Sequence, residues 1–260
     1  MAWHDVMEAP ALRAQPSPLE SARFGRSVER LTVSAGAGAS FDAVREAVLG
    51  SAAEVVVLRY PAERIDWFAG LTGLGRTALF ADSLVYWRLP AGRGRAPDPS
   101  PGLVPAPTAD TAAVERLVAD IFAAYGSHYL ANPLFDADAA LAGYQEWALR
   151  SAAEGRCLTL RDGGPGGSRL LALATLEEAA TRTEILLAGV VSDCQGRGLY
   201  AHLLKAVEDR TLARGATEVV ISTQGHNTRV QRAWARYGFE PVQTLLTAHL
   251  VRSSLLPERE

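Results

Sequence analysis

The chain has 260 residues, 48% of them hydrophobic and 21% charged, with a net charge of −3. That length can bury a sizeable core and the composition is ordinary for a globular protein, while the charge balance offers no footprint for a nucleic-acid backbone. There is no apolar run of the ~20 residues needed to span a bilayer, residues 1–20 lack the apolar core of a signal peptide, and Cys157 and Cys194 provide neither a disulfide framework nor a metal-ligand spacing; a cytoplasmic protein with no metal and no membrane partner is expected.

In chain order, residues 28–33, 54–60 and 83–89 read as strands and 41–49 and 62–70 as helices, a small α/β module over 1–95. Residues 96–107 then carry Pro97, Pro99, Pro101, Pro105 and Pro107. Proline this dense fixes φ and removes backbone donors, so the segment is expected to be a stiff extended linker. A second module over 108–260 opens with helices at 108–125 and 136–154. Strands at 157–161 and 170–176 follow, joined by a glycine-rich turn at 163–167. Then come a strand at 184–191, a helix at 199–214, a strand at 218–223, a helix at 230–237 and a last strand at 242–251. No internal sequence repeat is visible.

The most informative stretch lies between the strand ending at Val191 and the helix beginning at Leu199. Strand, tight turn and helix start aim several backbone N–H groups and a helix dipole at one spot, which favours a phosphate. Gly196 and Gly198 let the backbone approach the anion without a Cβ in the way. One reading is a dinucleotide fingerprint, since residues 196–201 fit G-x-G-x-x-A. That motif asks for an acidic residue about 20 positions on, at the end of the next strand. Here the acid, Glu218, stands at the start of that strand.

The other reading is a resemblance. Gln195, Gly196, Arg197 and Gly198, with Val190 five residues before Gln195, resemble the pyrophosphate loop Q-x-x-G-x-G/A of the GNAT superfamily of acyl-CoA-dependent N-acetyltransferases. Tyr200 stands where that pattern carries a small residue. Asn227, Trp234, Gly238 and Phe239 resemble its downstream N-x-x-x-x-x-x-Y-x-x-x-G-F segment, with Trp234 in place of the tyrosine. The resemblance implies a mixed, splayed central sheet flanked by helices in the C-terminal module. It implies that strands part just after Val190 and Val191, and that acetyl-CoA lies between them with its diphosphate on the amides of Gly196, Arg197, Gly198, Leu199 and Tyr200. Asn227, also expected to cap the helix that follows it, and Trp234 would touch the cofactor. The family tyrosine protonates the departing thiolate; an indole N–H is too weak an acid for that. Tyr237, one turn later on nearly the same face, is the expected substitute, and His226 the candidate to relay a proton from the amine. Ordinary core packing for the two valines and solvent exposure for His226 are the plain alternatives.

A further resemblance concerns the acceptor. Ser127, His128, Tyr129, Asn132, Pro133, Phe135, Tyr144, Trp147 and Ser151 are similar to the S-R-F-x-x-D-P-x-F…Y-x-x-W segment of bacterial sugar-nucleotide N-acetyltransferases of the dTDP-fucosamine type. It implies that His128, Tyr129 and Phe135 line the acceptor side, although the arginine and aspartate of the pattern are replaced here. Partners implied are acetyl-CoA and a small amine, with a homodimer allowed. The expected reaction is transfer of acetyl from acetyl-CoA to a primary amine of a nucleotide-linked sugar. Other amines (an antibiotic, a polyamine, a protein N-terminus) and a CoA-binding sensor without turnover are the alternatives.

Overall fold

The computed structural model describes residues 3–8, 10–36, 38–108, 110–123, 125–163 and 169–256. In chain order the first half runs α1 (Trp3–Met7), β1 (Leu12–Pro16), α2 (Pro18–Phe24), β2 (Val28–Val33), α3 (Phe41–Gly50), β3 (Val55–Pro61), α4 (Trp67–Leu71) and β4 (Arg76–Pro90). The second runs β5 (Leu103–Pro107), α5 (Thr111–Phe122), a 3-10 turn (His128–Ala131), α6 (Ala137–Ala153), β6 (Cys157–Asp162), β7 (Leu170–Glu178) and β8 (Arg182–Val190). It ends with α7 (Leu199–Ala213), β9 (Glu218–Gln224), α8 (Thr228–Tyr237) and β10 (Glu240–Arg252). The strands and longer helices expected from periodicity are present, except that the helix expected over 62–70 is a 3-10 turn (Ala62–Arg64) followed by the five-residue α4. The elements α1, β1, α2 and β5 were not expected. They are short, five to seven residues each, and β5 is made of the proline-rich segment itself. That strand pairs with β6 at the sheet edge, where a missing N–H is tolerated. Of the glycine-rich turn at 163–167, all but Gly163 lies outside the described residues.

Among the described residues, ten strands form one sheet in the order β1-β2-β3-β10-β4-β9-β8-β7-β6-β5. The expected division into modules over 1–95 and 108–260 is therefore a division of the sequence and not of the sheet. Strand β4, from the first half, lies between β10 and β9 and pairs antiparallel with both. Strand β10, from the second half, reciprocates by lying between β4 and β3. The two halves also share a topology: β2-α3-β3-α4-β4 has the same order and strand directions as β8-α7-β9-α8-β10. In each, the first two strands are parallel neighbours and the last strand crosses into the other half. Exchange of the last strands makes the central β4–β10 ladder run from Glu240–Arg88 to Arg252–Arg76, which accounts for a β4 much longer than the expected 83–89 and a β10 slightly longer than the expected 242–251. The repeat is one of topology, which is preserved without any visible repeat in the sequence.

Alternation along β3 shows how the sheet is covered. Val56, Leu58 and Tyr60 face α3 and α4 with Leu31, Val44, Val48 and Trp67. Val55 and Val57 face the other way, against Tyr129 and Phe135 from the second half. Strand β7 is buried at every residue from 171 to 176, so both of its faces are covered. Helices α5, α6 and α7 pack there through Val114, Leu117, Val118, Ala148, Leu203 and Val207. Among the described residues no helix is long and apolar enough to cross a membrane.

Candidate active site

The site arises where the sheet comes apart. The parallel ladder between β8 and β9 pairs Arg182–Glu218, Thr183–Val219, Glu184–Val220 and Ile185–Ile221, and stops there. Strand β8 continues to Val190 bonded only to β7, so its other edge carries unpaired main-chain groups. The opening lies five residues earlier than the sequence reading placed it; Val190 and Val191 mark its far end. Gly189 belongs to this stretch because a Cβ there would collide with Ile121 on α5. The equivalent ladder of the first half, Val28–Val55 to Thr32–Arg59, stays closed over nearly the whole of β2.

Two cavities meet across the gap. One, of about 610 Å³, lies under the turn before α7 and is lined by Val190, Gln195, Gly196, Gly198, Leu199 and Tyr200 among others. The second, of about 530 Å³, lies against the first half of the chain. Ala188, Tyr200, Asn227, Phe122, Tyr125 and Val230 line both.

In the first cavity, Gly196 and Gly198 have φ of +81° and +79°, with open space where a Cβ would be. Conformation, not crowding, requires glycine at both. Gly198 is the N-cap of α7 and offers no side chain, so the first amides of the helix are left for another partner. At the matching point of the first half, Ser40 caps α3 by accepting from the Ala43 N–H, so those amides are already partly served. Gln195 holds the turn: its Nε2 donates to the Val190 carbonyl (3.1 Å) and its Oε1 accepts from Arg229 (2.8 Å). Arg95, Arg229 and Arg236 also line this cavity. Sequence reasoning missed all three, because they come from the loop after β4 and from α8 and converge only in the fold. Arg197 is exposed and Val191 donates its N–H back to Leu171; neither side chain lines the cavity. Asn227 does not cap α8 with its side chain as expected; its Nδ2 donates to Thr223 Oγ1 at 3.1 Å. Cys194 also lines the cavity, and burial and Asp193 push its thiol above the ordinary value. A thiol so held is a poor nucleophile.

The second cavity is walled by Arg23, Arg30, Arg59, Tyr144, Trp147 and Glu177 among others, with His128 and Tyr129 at its base. A buried polar network supports it. Arg30 makes a two-pronged ion pair with Glu20 (2.7 and 2.8 Å), and the Tyr129 hydroxyl donates to Glu20 Oε1 at 2.5 Å. Burial opposes ionisation of Glu20, yet its bonds to Arg30 hold its carboxyl down at about 2. His128 Nδ1 and His249 Nε2 share a hydrogen bond of 3.0 Å. Burial and the nearby Arg59 hold His128 well below the ordinary histidine range and His249 at about 3. Both rings are neutral at neutral pH. Tyr144 and Trp147 line the cavity as well as packing on α6, so the aromatic spacing there is more than a core stripe. Phe135 is the exception: it stacks on Phe24 with centroids 4.3 Å apart and lines neither cavity.

The two candidate proton carriers are placed away from this work. His226 is exposed and lines neither cavity. Tyr237 borders the first cavity, but its hydroxyl donates to Glu208 Oε2 at 2.7 Å. Burial, and then that bond, push its phenol far above the ordinary value. Trp234 is buried against the second cavity, not along the first, and its Nε1 donates to the Tyr200 hydroxyl at 3.0 Å.

Residues 118–239 match the sequence model of the acetyltransferase (GNAT) family. No curated protein matches the chain. Among solved structures, a GCN5-related N-acetyltransferase from Sphaerobacter thermophilus is 16% identical, with 93% of this chain covering 77% of that one at a TM-score of 0.63. A GCN5-related N-acetyltransferase from Kribbella flavida is 16% identical, with 85% covering 81% and a TM-score of 0.53. A tandem GNAT protein from the clavulanic acid biosynthesis pathway is 14% identical, with 97% covering 86% and a TM-score of 0.54. These similarities extend across the exchanged strands as well as the second half. The antiparallel strand β4 beside β9 is at odds with the doubly wound parallel sheet of a dinucleotide domain. The chain therefore has the GNAT fold, and its segment 118–239 resembles the acetyltransferase (GNAT) family.

Proposed function

We propose that the protein transfers an acetyl group from acetyl-CoA to a primary amine by direct attack of the amine on the thioester. The observation that carries this reading is the β8–β9 ladder ending at Ile185–Ile221 with a cavity on either side of the gap. The first cavity suits the donor. Its helix-start amides and three arginines suit the diphosphate, and the unpaired edge of β8 can accept the pantetheine arm as an added strand. Main-chain N–H groups on that edge are fixed donors for the carbonyl oxygen, where negative charge develops during attack. The amine approaches from the second cavity. Gln224 Oε1, buried on that wall and without a hydrogen-bond partner among the described residues, is an acceptor for an amine N–H. Cys194, the thiol lining the first cavity, is held above its ordinary pKa by burial and Asp193, which favours direct attack over an acyl-enzyme.

For the acceptor we propose a nucleotide-linked amino sugar. Support comes from the similarity of residues 127–151 to the sugar-nucleotide enzymes and from the second cavity itself. Aromatic faces of Tyr144 and Trp147 suit a sugar ring or base, and Arg23, Arg30 and Arg59 give the wall the charge for a phosphate. The test is release of free thiol from acetyl-CoA with glucosamine, glucosamine 6-phosphate, UDP-glucosamine, spermidine and a serine-initiated peptide. Release with UDP-glucosamine above the others is expected. Release only with spermidine or the peptide would overturn the acceptor, and release with none would overturn the reaction.

A further inference from the structure

Two positions depart from the GNAT pattern: Tyr200 replaces a small residue, and Trp234 replaces a tyrosine. The fold brings these two side chains into contact. Trp234 is 1% exposed, packed edge-on against Trp87 with centroids 6.0 Å apart, and its indole N–H points at the Tyr200 oxygen. An indole has one donor and no acceptor, so this bond fixes the phenol without taking its proton. Among the described residues, no acceptor for that proton is present. Of the other nearby phenols, Tyr237 is committed to Glu208, to which it donates at 2.7 Å. Tyr125, which also lines both cavities, shares a longer 3.4 Å contact with Thr223 Oγ1 in which either hydroxyl can be the donor, and it has no N–H fixing its oxygen as Trp234 fixes that of Tyr200. Tyr200 also lies at the right place, since it lines both cavities together with Ala188 and Asn227.

From this geometry we infer that Tyr200 is the catalytic acid, the phenol having moved from α8 to the first turn of α7 while an indole took its former place. The inference rests on the acyl-transfer reading above. Attack forms the C–N bond and leaves an excess proton on nitrogen. The C–S bond then breaks, its electron pair goes to sulfur, and the sulfur takes the Tyr200 proton. The phenolate left behind accepts the Trp234 N–H and stands at the second residue of a helix, where negative charge is favoured. The excess proton on nitrogen then restores the phenol, so one N–H proton ends on the thiol and the amide leaves neutral. Burial pushes the Tyr200 phenol up while the Trp234 bond pulls the other way. The side chain is therefore protonated at neutral pH, as an acid must be before the step.

The test uses the full chain, acetyl-CoA and whichever amine of the panel above is acetylated. Tyr200→Phe is expected to lower kcat about 100-fold while the Kd for CoA, by calorimetry, stays within about twofold. Because the site is packed, a second comparison guards against a folding effect. The double variant Tyr200→Ala, Trp234→Tyr returns the phenol to the family position and is expected to exceed Tyr200→Ala alone at least tenfold in kcat. A Tyr200→Phe enzyme with kcat within about threefold of the parent, or a double variant no better than Tyr200→Ala, overturns the assignment and leaves the acyl-transfer reading standing. A parent protein that binds CoA yet acetylates no amine removes that reading and this assignment together.

Discussion

The Tyr237 hydroxyl donates to one oxygen of Glu208, at 2.7 Å, while the N–H groups of Gly92 and Gly94 donate to the other at 2.7 and 2.9 Å. The pair therefore clamps the loop after β4 onto α7, and Gly94 has to be glycine because a Cβ would collide with both side chains. Tyr237→Phe deprives a buried carboxylate of one donor, and a loss of about 1–3 kcal/mol in urea unfolding is expected. If the role is structural, the pH profile of kcat keeps its shape. A displaced alkaline limb would restore Tyr237 as the acid.

The buried histidine pair makes stability depend on pH. His128 and His249 both titrate below the ordinary value of 6.5 when folded. Between the folded and unfolded pKa values the unfolded chain binds more protons, so stability falls as pH drops through 6.5 and keeps falling toward the folded values. The expected slope is on the order of 1 kcal/mol per pH unit for each ring. Above about pH 7.5 stability from this source is constant. Chemical unfolding of the parent and of His128→Asn at pH 5.5 and 7.5 checks this: the variant has a shallower pH dependence, and equal slopes would contradict it.

Glu20 and Arg30, both from the first half, differ from the more exposed pair Arg23–Glu146, which joins the two halves near the same cavity. Glu20 is 2% exposed, and removing it leaves a part-buried guanidinium and the Tyr129 hydroxyl without their partner. Glu20→Ala is expected to cost about 3–5 kcal/mol. Glu146→Ala, at a side chain 49% exposed, is expected to cost less than about 1 kcal/mol. Equal losses in a urea titration would contradict this account of the network.

Gly198→Ala isolates backbone conformation, because nothing lies within 4 Å of the added methyl while φ is +79°. Strain of about 1–2 kcal/mol would push the turn toward negative φ and turn its amides away from the diphosphate. A rise of at least about tenfold in the Kd for CoA is expected. An unchanged Kd by calorimetry would show that these amides do not hold the phosphates.

What was legible in the sequence was local. The strand 184–191, the positive-φ glycines and the helix from Leu199 are encoded within one short window, and they stand where the spacing put them. The same holds for Tyr144 and Trp147, one turn apart on one helix. What was hidden depends on distant pairings. Exchange of β4 and β10 leaves no local mark, because a strand's alternation says which faces are buried and not which strand lies beside it. The arginines at 95, 229 and 236 look like solvated charges until two loops and a helix converge. Tyr200 and Trp234, 34 positions apart, each read as a defect in a pattern; only their contact shows that one departure answers the other.

The central claim is that the turn before α7 grips the diphosphate of coenzyme A across an opened sheet. Calorimetric titration of the full chain with CoA and, separately, with NAD tests it most directly. The account requires one CoA site per chain, weakened by Gly198→Ala, and no heat from NAD. Uptake of NAD with none of CoA would contradict it.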